Sequence, residues 1–384
     1  MAGQVSITES GVLAFLTSIF EEDLHAKRIL SLSQCTLGVV HAASLAVHTI
    51  GIGMAEARDV EPKHAIKQVD RMLSNRGIDV WSLFQHWVPF VLGGRKEAVV
   101  ALDWTEHDHD DQSTIALNLV TSHGRATPLI WKTVVKSKLK DNRNSFEDDV
   151  LQRLREVLPA GVGVTVLADR GFGDQKLYDL LRRLCFDYVI RFRENIFVTD
   201  SSGTSRPAVE WVPNNGRSKM LRNARVTQDG YPVPAIVCVK EAGMKDNWCL
   251  ATSRSELTGK QVVTLYGKRF TIEENFRDTK DQKFGMGLSS THIGKPARRD
   301  RLLLVAALSQ ALLTLLGAAG EALGMDRLLK ANTVKRRTHS LYRQGLHYYR
   351  AIPMMRPQKL LPLVDKFAEL VREQAICVEI FGLI

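Results

Sequence analysis

Residues 266–280 read YGKRFTIEENFRDTK, and the fold of the chain turns on how this stretch is wound. As a helix at roughly 100° per residue, it gathers Tyr266, Arg269, Glu273, Arg277 and Lys280 within an arc of about 80°. Leu265, Ile272, Phe276 and Thr279 form a neighbouring, mostly apolar stripe. One edge of such a helix packs on a core while the adjacent face looks at a ligand. A carboxylate ringed by cations suits a site that holds a metal and a polyanion together. Charges at i, i+4 and i+7 are also what a solvated helix face with weak ion pairs presents. The stretch alone leaves both readings open, and two acids upstream weigh between them.

The first lies in residues 97–103, EAVVALD, which read as a strand ending at Asp103. The second follows residues 163–168, GVTVLA, a short continuous apolar run of the kind that fills a buried central strand, ending at Asp169. If these strands are neighbours, both carboxylates emerge at one sheet edge and Glu273 reaches that edge from a helix packed on the sheet. Glu274 is rotated about 100° away from this face, so Glu273 is preferred. Three carboxylates without a His or Cys pattern form a hard, oxygen-rich site that favours Mg²⁺ or Mn²⁺ over zinc. Two such ions about 4 Å apart serve phosphoryl transfer.

Between and around these acids the coarse pattern is β-β-β-α-β-α-β. Residues 113–121 and 127–135 are rich in β-formers and complete an antiparallel meander with the first strand. A helix is expected over about 145–157, another near 173–184, and a strand near 187–192. Residues 106–111, EHDHDD, look like a metal cluster but fall between two strands, where acidic turns are common. From 196 to 252 apolar and polar residues alternate with Gly, Pro, Asn and Asp at turns, which reads as a β-rich insertion.

The N-terminal part reads as helical. Thr8, Glu9 and Ser10 precede an apolar-periodic segment, and Pro62 suits a helix start. The helix from Pro62 to about Ser74 carries Lys63, Lys67 and Arg71 on one face and Ile66, Val69 and Leu73 on the other. A helix, a short turn and a basic helix resemble a helix-turn-helix unit, although three basic residues on a surface helix also make a plain solvated face. The chain is helical again from Pro296, with a basic run at Lys335, Arg336 and Arg337. These shifts divide it into a helical region at 1–95 that is expected to bind DNA, an α/β core at 96–195 that is expected to be catalytic, the insertion at 196–252, the core's second part at 253–320 and a helical region at 321–384.

Lys plus Arg number 52 and Asp plus Glu 42 among 384 residues, a net charge of +10. That balance suits a polyanionic partner, nucleic acid first. The five cysteines, Cys35, Cys185, Cys238, Cys249 and Cys377, include no Cys-x-x-Cys pair. A disulfide framework and a structural zinc site are therefore not expected, and a reducing cytoplasm is the natural setting. No basic segment followed by an apolar core opens the chain, so no signal peptide is expected. Residues 302–319 carry no charge, but Ser309, Gln310 and Thr314 interrupt them, and a helix buried inside the protein is expected rather than a membrane span.

The spacing of Tyr266, Arg269, Glu273 and Lys280, with two, three and six residues between them, resembles the signature of bacterial insertion-sequence transposases of the "insertion sequence four" type. These are DDE transposases with an RNase H-like core. Asp103 in Ala-Leu-Asp-Trp-Thr resembles their first Asp, Asp169 in Leu-Ala-Asp-Arg-Gly-Phe the second, and residues 196–252 their β-rich insertion. The likeness covers roughly residues 96–320. It departs from the pattern just past Arg170, where Gly171-Phe172-Gly173-Asp174 replaces the acidic continuation of some members.

The resemblance implies an RNase H-like mixed sheet with flanking helices. It makes Asp103, Asp169 and Glu273 the metal ligands for a pair of Mg²⁺ or Mn²⁺ ions. It makes Tyr266, Arg269 and Lys280 contacts to the backbone of the element's end. Trp248 resembles an insertion-domain aromatic that stacks on a flipped base, though a Trp packed at a strand end reads the same way. The implied activity is binding of terminal inverted repeats, cleavage, and joining of 3′-hydroxyls to target DNA, in the bacterial cytoplasm, by a homodimer that pairs two ends. An RNase H-like nuclease or resolvase without strand transfer, or a transposase-derived DNA-binding protein, would share many of these residues.

Overall fold

β1 (Glu97–His107) pairs in parallel with β4 (Gly163–Ala168), and this junction organises the chain. The computed structural model describes residues 7–283 and 285–372. β2 (Gln112–Leu119) and β3 (Thr127–Val135) extend the sheet antiparallel on one side of β1. β5 (Asp187–Phe192) adds in parallel beyond β4. The order β3-β2-β1-β4-β5 with this mixture of directions makes the core RNase H-like.

The insertion does not form a sheet of its own. β6 (Phe197–Thr199), β7 (Ser205–Pro207), β8 (Lys219–Val226), β9 (Tyr231–Val239) and β10 (Trp248–Thr252) join the same sheet through the antiparallel β5–β10 pair, making ten strands. The physical cause is the free edge of β5. A row of unpaired backbone groups there would be exposed, and β10 supplies its partner.

Side chains alternate across the sheet. Ala98, Val100 and Leu102 of β1 join the main core on one face, whereas Val99 and Ala101 face a second cluster with Leu167, Val189 and Leu250. α8 (Gly259–Gly267) and α9 (Phe270–Lys280) cover that second face through Val262, Val263, Tyr266 and Ile272. Thr258 and Gln261 close a reciprocal capping box at the start of α8.

Among the described residues, five helices precede the sheet: α1 (Glu9–Phe20), α2 (Ala26–Ala42), α3 (Val47–Arg58), α4 (Pro62–Ser74) and α5 (Val80–Leu92). Thr8 caps α1 and Pro62 opens α4 as the sequence suggests. α4 buries Ala65, Val69, Met72 and Leu73 and leaves Lys63, Lys67 and Arg71 exposed. Ile66 is half-buried because the backbone of α3 comes close at Gly51, where any Cβ would strike it. α6 (Arg143–Val157) and α7 (Gln175–Arg183) flank the core strands.

α10 (Pro296–Ala322) runs through the main core, with α11 (Leu341–Ala351) and α12 (Pro357–Arg372) beyond it. It is long and apolar enough to cross a membrane, but its most apolar window is 89% buried in this protein. α2 and α3 would pass the same test only as a pair, and they are bent by 96°. At its start, Arg298 holds Asp70 of α4 and Arg301 binds the carbonyls of Leu73 and Ile78, fastening the basic helix to the catalytic core. The four described cysteines are free thiols; Cys377 lies outside the described residues.

Two boundaries differ from expectation. Asp103 does not end its strand, because pairing with β2 continues as far as His107 opposite Gln112. The chain expected as one helix from Tyr266 to Lys280 is tightened at Lys268–Arg269. There Lys268 N–H and Arg269 N–H reach back three residues, to the carbonyls of Leu265 (3.1 Å) and Tyr266 (2.9 Å).

Candidate active site

The parallel ladder between β1 and β4 ends at Leu102 opposite Ala168. Asp103 and Asp169 are the next residues on each strand. The ladder between β4 and β5 ends at Ala168 opposite Ile190, so Arg191 is the next residue on β5. By the alternation that sends Ala101, Leu167 and Val189 to the α8–α9 face, Asp103, Asp169 and Arg191 project to that face too. Sequence register thus lines up two acids and a cation beneath the α8–α9 junction.

From above, Arg269 lies at that junction with its side chain only 4% exposed. Its Nη1 donates to Asp103 Oδ2 at 3.1 Å and its Nη2 to Glu273 Oε1 at 2.5 Å. Tyr266, buried, donates its hydroxyl to Asp169 Oδ1 at 3.2 Å. Arg191 Nη1 lies 3.8 Å from the same oxygen, and its Nη2 donates to the Asn247 carbonyl at 3.0 Å. Asp103 Oδ1 accepts the Trp104 N–H at 2.9 Å. Asp103 and Glu273 are therefore joined through Arg269, while Tyr266 holds Asp169 on the neighbouring strand end.

Burial pushes the Asp103 carboxyl above the usual carboxylate range. The Arg269 charge and the Trp104 N–H pull it back, while Glu273 and Asp169 push it further up. Burial also raises the Tyr266 phenol, keeping it a neutral donor toward Asp169. Burial opposes the charge on Arg269, but Tyr266, Asp103, Asp169 and Glu273 together raise its pKa. A cation buried without such partners would be costly.

The five residues of the expected face part company. Tyr266, Arg269 and Glu273 meet the acids. Lys280 reaches the far end of β1, donating to Thr105 Oγ1 at 3.2 Å and the Glu106 carbonyl at 2.6 Å. Arg277 turns outward and pairs with Glu274. α9 is held by a buried polar chain in which Asn118 donates to Asn275, Asn275 to Gln310, and Gln310 to Thr279, each at 3.2 Å. This chain sets the roll of α9, and hence the side on which Glu273 emerges.

Trp248, at the start of β10, packs edge-on against Tyr266 with ring centroids 4.9 Å apart and lies beside Phe270. It is half-buried, with the Tyr266 ring between it and Asp169. Residues 106–111 form a turn whose acids bind Lys136, Ser137 and Arg299. Lys63, Lys67 and Arg71 stand apart from the carboxylates on α4. Arg191 was missed by reading for acids alone; counting the same register onto the run 187–192 would have found it.

The donor set of Asp103, Asp169 and Glu273 is all carboxylate oxygen, which suits a hard divalent cation. Among the described residues, however, no three His, Cys, Asp or Glu side chains converge into a metal-holding group. The expected three-carboxylate grouping is not closed, because the guanidinium of Arg269 stands between Asp103 and Glu273. Three like charges need compensation, and here the arginine supplies it.

Residues 95–310 match the family model of the transposase DDE domain. That is more than half of the chain, and the chain belongs to this family. A search of curated proteins finds no match. The RNase H-like sheet is the fold of that domain, and DDE transposases act on DNA and generally use divalent metal ions.

Proposed function

We propose that the protein is a transposase of the "insertion sequence four" type that binds the inverted repeats of its element, cleaves at the ends and joins the freed 3′-hydroxyls to target DNA. One observation carries this reading: the register that sets Asp103 beside Asp169, with Glu273 brought to Asp103 through Arg269. Asp103, Asp169 and Glu273 would hold Mg²⁺ or Mn²⁺, which when bound supplies positive charge at the reacting phosphate.

The chain's own side chains prepare that place. Arg269 and Tyr266 neutralise and orient the carboxylates, and the same guanidinium and hydroxyl suit contact with a phosphate of the element's end. Lys280 stands at the far end of β1 for a neighbouring phosphate. Trp248 offers an aromatic face for a displaced base. Lys63, Lys67 and Arg71 present three positive charges to the DNA backbone. Two ends must be paired for transposition, so a homodimer acts in the end complex, in the cytoplasm on nucleoid DNA.

Glu273→Gln should abolish strand cleavage with Mg²⁺ present and leave end binding largely intact; a variant that still cuts overturns the assignment. Incubating pre-cut ends with a target plasmid separates a transposase, which yields joined products, from a nuclease that only hydrolyses. Inverted repeats and a short target duplication in the DNA flanking the gene would support the same reading.

A further inference from the structure

Beside α8 lies an open cleft of about 1000 Å³. Arg95, Lys96, Arg254, Lys260 and Lys268 line it, and Glu97 is the one acid among its described lining residues. The two arginines are structural. Arg95 is buried and donates to the Leu92 carbonyl at 2.8 Å, and Arg254 binds Thr165 at 3.1 Å and pairs with Glu256. The three lysines differ. Lys96 and Lys260 are exposed, Lys268 is partly exposed, and none forms an ion pair or side-chain hydrogen bond with a described residue. A concave wall with three uncompensated ammonium groups is stabilised by bringing a polyanion to it.

Its position is specific. Lys268 is the neighbour of Arg269, which holds the carboxylates. Lys96 precedes β1, and the six residue steps from Glu97 to Asp103 span roughly 20 Å of extended chain. Lys260 and Lys268 lie about 12 Å apart along α8. The cleft therefore begins next to the catalytic network and runs roughly 20 Å from it, the length of about six base pairs at 3.4 Å each. This distance is short enough for one duplex to reach both places.

We propose that this cleft is a second DNA-binding site, in which Lys96, Lys260 and Lys268 hold the phosphate backbone of the duplex within about six base pairs of the phosphate at the carboxylates. The proposal rests on the reading of the protein as a DNA transposase, and it assigns to these lysines affinity without base recognition. Each is a point charge on a flexible stem, suited to phosphate oxygens rather than to base edges.

The test is the salt dependence of binding to a mixed-sequence linear duplex. The variant is Lys96→Gln/Lys260→Gln/Lys268→Gln, with Lys96→Arg/Lys260→Arg/Lys268→Arg as the charge-preserving control. Each lost phosphate contact removes about 0.9 from the slope of log affinity against log salt, so the Gln variant should lose roughly 2.7. Its affinity should fall on the order of a hundredfold near 0.1 M salt, with the Arg variant close to wild type. A Gln variant with an unchanged slope overturns the cleft while leaving the transposase reading intact. An Arg variant that loses as much as the Gln variant also overturns it, because charge is then not what matters. Wild-type protein that binds no duplex overturns both.

Discussion

Asp103 and Asp169 occupy equivalent rungs of adjacent parallel strands, each one residue past the last paired rung at Leu102 and Ala168. Adjacent strands lie about 4.8 Å apart, so two carboxylates on the same face are held close by backbone hydrogen bonding alone. The repulsion this creates explains the buried arginine above them. Arg269 is in the site because the acids are.

The first consequence concerns Asp103 and pH. Its folded-state carboxyl binds a proton more tightly than the unfolded one. Its contribution therefore favours the native state at low pH and is lost as pH rises from the ordinary carboxylate value through the raised one. Asp103→Asn should flatten that part of the urea-denaturation profile. At pH 7 it should match or exceed wild type, because Glu273 still pairs with Arg269, while cleavage is abolished. A clear loss of stability at pH 7 would show that the Arg269 pair outweighs burial.

Two buried histidines act in the opposite sense. Burial, with nearby positive charge, holds His107 and His123 down at about 3. The unfolded chain takes up their protons near the ordinary value of about 6.5, so stability is full above that pH and is lost progressively toward 3. His107→Gln should reduce the loss between pH 6 and 4, measured as urea midpoints at fixed ionic strength. An unchanged profile would mean that His107 is not the titrating group.

Arg191 connects Asp169 to the loop that leads into Trp248. Arg191→Ala should lower the cleavage rate roughly 10- to 100-fold, the range expected for losing the charged hydrogen bond to the Asn247 carbonyl together with the positive charge 3.8 Å from Asp169. End binding should change less. Because Asn247 precedes Trp248, the variant should also shift the tryptophan fluorescence. Equal losses in binding and cleavage would reduce Arg191 to a phosphate contact.

Packing of α10 against α11 depends on glycines that face each other's backbone. A Cβ on Gly345 would run into the carbonyl of Leu313, and one on Gly317 into that of Leu341. Gly345→Ala should cost at least about 2 kcal/mol, because neither helix can yield without separating the pair. Thermal melting of the full chain checks this, and a change below about 0.5 kcal/mol would mean that α11 moves freely.

Much of this arrangement was legible in the chain. The continuous apolar run at 163–168 marks a central strand, and the strand ends at Phe192 and Val135 follow from local pattern alone. Asp169 at the end of its strand, Pro62 at its helix start and the burial of α10 likewise need only periodicity and punctuation. Period and capping are properties of neighbouring residues, so a linear sequence carries them.

Other features depend on partners distant in sequence. Asp103 lies inside its strand because β2 continues to pair past it. The insertion joins the catalytic sheet because β5 has an edge to satisfy. Tyr266, Arg269 and Glu273 separate from Lys280 and Arg277 because the helix tightens at Lys268 and because Asn118, Asn275 and Gln310 set the roll of α9. Residue types along the chain determined that acids and cations would share a face. Which acid met which cation, and that Arg269 would stand among the carboxylates, was decided by strand register and the electrostatic cost of burying like charges together.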